Sequence, residues 1–414
     1  MRKLLFTLLI LIFTAGVAFA ESKFTIKGDF YVRGSRITNQ GLAATNAAEY
    51  DYYDQDMNIY AKFAASKTTW ADLKIAIIDE EWGTGHHETN ANDDENIAIE
   101  RAYMTHVFPT HTVLVLGKMN GGTWGTTFGD DEEARWRVKI VQPLSPNAIL
   151  LGVIEKGGDA NLGVGNTGDI GAQNPTLKDA EEDDNDRLAV GALLTFGDFH
   201  VKPLYYMVNA SNADLSQTSD GIEVNILFLA LDGKFGMFGF EAEYMKKDTD
   251  FCTALGGRSF ANTGMYVNFW ANLAAAKVGL IYADGDTDTS KGAEAAFDFD
   301  DDFDLTLFLS DWIGFGGGDG LTGMNAIQVY GSYKFTEKLS ANASYTMVES
   351  NWDAGIYKDA EANEMDFGLA YAITKNLTYS IAAGFASMDT NPTYWGGPDP
   401  DDGGRIYHKL AMKF

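Results

Sequence analysis

The chain has a single cysteine, Cys252, so no intrachain disulfide can brace it. Proline is scarce, 8 residues against 44 glycines, which leaves long backbone ladders uninterrupted and gives the turns to glycine, asparagine and aspartate. Basic residues are outnumbered 31 to 59, for a formal net charge of −28. That balance excludes nucleic acid and anionic lipid surfaces as electrostatic partners. Histidine is rare too: His86, His87, His106, His111, His200 and His408 fall in no nucleophile or metal motif. Catalysis therefore has no anchor, and no cofactor is implied. After the first residues, no apolar run approaches the roughly 20 that a membrane helix needs.

What is present begins with export. Met1-Arg2-Lys3, the apolar run Leu4–Phe13 and Ala18-Phe19-Ala20 have the form of a secretory leader, with cleavage expected after Ala20. Residues 1–20 are then the leader and 21–414 one mature domain. Losing Arg2 and Lys3 makes that domain more acidic still.

Aromatics are 13 % of the chain, and hydrophobicity repeats with a period of two, the signature of strands with one apolar and one polar face. Phe24, Ile26, Phe30 and Val32 oppose Lys27, Asp29, Tyr31 and Arg33. Met57, Ile59, Ala61 and Phe63 oppose Asp56, Asn58, Tyr60 and Lys62. At the other end Ile406, Leu410, Met412 and Phe414 share a parity, against Arg405 and Lys409. Pairing the first strand with the last closes a barrel and removes both sheet edges. Two residues break the pattern: Glu100, on the apolar parity of its strand, and His408, among the outward residues of the last one.

Short turns alternate with long, acidic, glycine-rich loops. The turns are Lys67–Thr69, Pro109–His111, Pro143–Pro146, Gly197-Asp198, Asp232-Gly233, Asn272–Ala275, Thr336–Lys338 and Thr374–Asn376. This layout predicts an all-β, antiparallel, up-and-down transmembrane barrel of about 18 strands, or about 16 if Asn272–Ala275 is not a turn. Within the seventh long loop, Asp304–Trp312 has an apolar centre and is expected to form a helix or hairpin over or in the pore.

Gly121–Lys139 carries the densest chemical signal. Four acids, Asp130, Asp131, Glu132 and Glu133, end the third long loop; the next strand alternates Arg135, Arg137 and Lys139 with Trp136, Val138 and Ile140. Three like charges two residues apart need water or counter-charges. If the loop bends inward, acids face bases across a constriction. Arg33, Arg101 and Lys118 are further candidates for the basic wall. Asp284–Asp288 alternates acids as calcium loops do but lacks a downstream bidentate glutamate. His86-His87 would point apart on a strand, and no metal site is expected.

The export signal, the turn and loop asymmetry, the acidic third loop before a basic strand, and terminal Phe414 together resemble the Gram-negative outer-membrane porins. Of the Pro-Glu-Phe-Gly-Gly run in the third loop of general porins, only Phe128-Gly129 remains, so a different constriction is expected. The resemblance implies a water-filled outer-membrane channel for small hydrophilic solutes and ions. It further implies a homotrimer, contact with outer-membrane lipid, and recognition of Phe414 by the barrel-assembly machinery. Two readings from other classes are a barrel sheathing a partner such as an electron-carrying cytochrome, and an outer-membrane enzyme.

Overall fold

The computed structural model describes residues 23–39, 49–82, 97–120, 124–129, 134–159, 184–210, 222–251, 259–288, 296–299, 303–312, 321–355, 357–390 and 401–414. The leader, Asp130–Glu133, His86-His87 and Cys252 lie outside them.

The first nine strands are β1 (Lys23–Thr38), β2 (Glu49–Ala64), β3 (Thr69–Glu81), β4 (Ala98–Val107), β5 (Val113–Asn120), β6 (Ala134–Ser145), β7 (Ala148–Asp159), β8 (Asp184–Phe196) and β9 (Phe199–Ala210). They are followed by β10 (Ile222–Phe235), β11 (Phe238–Phe251), β12 (Ser259–Leu273), β13 (Ala276–Gly285), β14 (Met324–Lys334), β15 (Leu339–Ser350), β16 (Glu361–Thr374), β17 (Leu377–Asp389) and β18 (Gly403–Lys413). Each pairs antiparallel with its sequence neighbours, and β18 closes on β1, giving an 18-stranded barrel with no free edge. At the seam the Phe414 backbone exchanges two hydrogen bonds of 2.9 Å with Gly28. The absence of a side chain at Gly28 leaves room there for the Phe414 ring.

The alternation reads through to the faces. Large apolar side chains such as Ile140, Ile154, Val190, Phe269, Val329 and Phe367 are exposed outside, and their polar neighbours line the lumen. An outward apolar band and a polar interior suit a barrel in lipid.

Two details depart from expectation. Asp232-Gly233 is not a turn: both residues lie within β10, where Asp232 binds His200 and Lys202, each at 2.7 Å. The chain reverses at Gly236-Met237, with Gly236 at φ 61° supplying the left-handed residue that a tight hairpin needs. Pro143 likewise belongs to β6, beside a register irregularity that ends at Ser145. The glycine-free Asn272–Ala275 does hold a turn, through Ala274 at φ 51°, which sets 18 strands over 16.

Both pattern-breakers find physical causes. The register steps from Lys74↔Arg101 to Ile75↔Ile99, so Glu100 is the extra residue of a bulge and forms an ion pair with Lys74. That extra residue switches the faces, placing Ile99 outside and Arg101 inside. His408 does face outward; it sits over Gly34, with Nε2 3.3 Å from the Tyr53 hydroxyl.

Candidate functional site: a cation-lined cavity inside the barrel

Two long loops enter the lumen. The third, between β5 and β6, lies against the inner wall, where a Cβ at Gly125 would run into Ala230 and the Glu243 carboxylate. Glu243 is 2 % exposed and accepts hydrogen bonds from the Thr126 amide at 2.6 Å and hydroxyl at 2.7 Å. The Trp124 indole N–H donates to the Lys202 carbonyl at 2.9 Å. Phe128, fully buried, packs on Tyr266, Phe297, Phe299 and Phe303 with ring centroids 5.0–5.7 Å apart.

Those last three phenylalanines belong to the seventh loop, between β13 and β14. Its apolar stretch folds into the lumen and ends in a short helix, α1 (Leu309–Trp312). A buried glutamate fixes this loop as well: Glu364 accepts the amide N–H groups of Phe308 and Leu309, both at 2.8 Å. Gln328 donates to the Leu305 carbonyl, and Arg405 to that of Leu307 at 3.4 Å. The seventh loop is therefore inside the barrel, with its phenylalanines locked around Phe128.

Against this plug the β6–β11 wall encloses a cavity of about 450 Å³. Arg135, Arg137 and Lys139 all line it, as do Arg187 and Lys247; Glu155 and Asp298 are its acids. Glu155 lies directly between Arg137 on β6 and Arg187 on β8. Its carboxylate is 2.5 Å from Arg137 Nε, 3.2 Å from Arg187 Nη1 and 3.5 Å from Arg135 Nη1. The Tyr206 hydroxyl donates to it at 3.3 Å. Arg137 also donates to the Met119 carbonyl at 3.1 Å. One buried carboxylate thus organises three guanidiniums, and breaking such a buried arrangement costs about 3–5 kcal/mol. The remaining lining is largely apolar, including Trp124, Ile226, Phe228 and Phe299.

The other basic candidates lie elsewhere. Arg33 faces the lumen from β1 and holds Asp54 at 2.7 Å, away from the cavity. Arg101 lines a separate cavity on β1–β4. Lys118 is a correction: it pairs with Trp136, an outward residue 61 % exposed, so its side chain lies on the lipid face and not in the pore. It is two residues from the end of β5, where an outward lysine costs about 0–1 kcal/mol. The Asp284–Asp288 loop spends its carboxylates on the protein: Asp286 takes the Thr263 amide and hydroxyl, and Asp284 takes Asn351.

Glu155 escaped the sequence reading because Leu151 and Val153 share the inward face of β7 with it; Arg187, on β8, shares its inward face with Ala189. With apolar residues on both faces, alternation vanishes.

No family model matches this sequence, and no curated protein matches it significantly. Solved structures do match. Acinetobacter baumannii OccAB3 has a TM-score of 0.58 at 11 % identity, covering 94 % of this chain and 99 % of that one. Pseudomonas aeruginosa OpdK with vanillate gives 0.57 at 12 %, covering 94 % and 98 %. P. aeruginosa OccK9 (OpdG) gives 0.58 at 14 %, with the same coverages. The chain has the fold of an outer-membrane porin. In this porin fold, two inward loops, pinned by Glu243 and Glu364, narrow the lumen beside a cationic wall.

Proposed function

We propose that the protein is an outer-membrane channel through which small hydrophilic solutes diffuse passively, and that its β6–β11 cavity favours solutes with an anionic group. The observation that carries this reading is the convergence of Arg135, Arg137, Arg187 and Lys139 on a lumen cavity with an apolar opposite side. A guanidinium cluster offers paired donors to a carboxylate, while Phe228 and Phe299 offer the solute's body an apolar surface. OpdK, of the same fold, was solved with vanillate, an aromatic carboxylate of the chemistry such a cavity suits.

On this reading the short turns face the periplasm, the long loops face outward, and Phe414 serves barrel assembly, with trimerisation a further expectation. Glu155 keeps the arginines partly satisfied, so an anion binds well enough to enter yet weakly enough to leave. A sheath around a partner protein requires a clear lumen, which the third and seventh loops occupy. The test is planar-bilayer recording of the purified protein, with vanillate as probe solute. Stepwise conductance that vanillate reduces in a concentration-dependent way supports the reading; a barrel that inserts but does not conduct refutes it.

A further inference from the structure

The wall formed by β1–β4 carries its charges in tiers. Cross-strand partners share a face, so the register defines each rung. The upper rungs, toward the long loops, read Arg33–Asp54–Glu81 and Tyr31–Asp56–Asp79. The next rung pairs Asp29 with Asn58, and Asp29 also takes the Tyr60 hydroxyl; below it the rungs become Lys27–Tyr60–Lys74–Arg101 and Lys62–Asp72–Tyr103. Acids therefore sit over bases on one wall. Asp56 and Tyr60 are four residues apart on β2, about 13 Å along a strand.

The lower tier lines a cavity of about 400 Å³, separate from the β6–β11 one and nearer the short turns. Lys74 is taken up by Glu100. The Lys62 ammonium lies over the Trp70 ring at 4.2 Å, a neutral partner that leaves its charge uncompensated there. Lys27, Lys62 and Arg101 share this lining with one acid, Asp72, and with Tyr60 and Tyr103. Point-charge ammoniums, one guanidinium fork and the Tyr103 phenol form a donor set for a small oxyanion.

We propose that this lower tier is a second anion-binding site, for a small carboxylate or phosphate, reached from the short-turn end of the channel. The acidic tier above it repels anions that approach along the same wall from the long-loop end. The inference rests on the channel reading and makes the lower site easier to reach from the short-turn end than along the same wall from the long-loop end.

The test uses inorganic phosphate as a blocker in single-channel recordings, added to one chamber at a time. The chamber facing the short turns is the one from which protease fails to cut the long loops. Half-block should need less phosphate from that chamber than from the other. Lys27→Gln/Lys62→Gln/Arg101→Gln should raise the half-blocking concentration from that side roughly a hundredfold, as expected for three charges each worth about 1 kcal/mol at about 4 Å through water. Asp72→Asn should lower it. A half-blocking concentration unchanged in both variants, in channels that still conduct, overturns the lower site and leaves the β6–β11 cavity untouched. A wild-type barrel that never conducts would instead refute the channel reading itself.

Discussion

Replacing Glu243 by alanine should loosen the third loop. Its buried carboxylate accepts two hydrogen bonds from Thr126, and each bond to a charged group is worth about 1.5–3 kcal/mol. The Phe128 stack and the Trp124 bond remain, so the loop is weakened at one anchor and not freed outright. Taking about 3 kcal/mol as the net loss, the detached population rises roughly a hundredfold. Detachment widens the lumen between the β8–β12 wall and the seventh loop. Single-channel recording should show a larger conductance level, visited often in Glu243→Ala and seldom in the wild type. Glu243→Gln, which keeps one acceptor, should fall between them. If Glu243→Ala channels conduct with wild-type amplitude and noise, the carboxylate does not hold the constriction, and the anchoring argument fails.

Three further outcomes follow from the same geometry. Glu155→Gln leaves three arginines around a neutral acceptor, so vanillate should block at lower concentration than in the wild type; weaker block would mean that Glu155 positions the arginines more than it competes with the solute. Lys118→Gln should leave reversal potentials unchanged, because the side chain is on the lipid face; a measurable shift would return it to the lumen. Deleting Phe414 removes the paired bonds to Gly28 and should lower the yield of folded barrel, scored as heat-modifiable mobility, while surviving channels conduct as before.

The barrel was legible because its strands obey a period of two and the loops between them differ so sharply in length. Arg135, Arg137 and Lys139 could be placed inward for the same reason, with Trp136, Val138 and Ile140 as the outward set. Legibility ended where alternation did. The bulge at Glu100 shifts the faces by one residue, and no residue type near it announces the insertion. On β5, Leu114, Leu116 and Lys118 share a parity, and only pairing with Trp136 turns that column outward. Glu243 and Glu364, which hold the inward loops, look in sequence like any other acid of an acidic chain. Their role comes from contacts between segments more than 50 residues apart. The apolar centre of Asp304–Trp312 was visible, but the residues that hold it in the lumen, Gln328, Glu364 and Arg405, lie on β14, β16 and β18.

The central claim is that the β6 cations line the path that solutes take. Reversal potentials across a bilayer under a KCl gradient measure it most directly, for the wild type and for Arg135→Gln/Arg137→Gln/Lys139→Gln. The acidic mouth should give the wild type a mild cation preference in dilute salt, weakening as salt screens charges beyond about 8 Å. The triple variant should prefer cations more strongly at every salt concentration, because the lost charges act where ions pass within a few ångströms. A reversal potential identical to wild type would contradict the account and remove these residues from the conducting path.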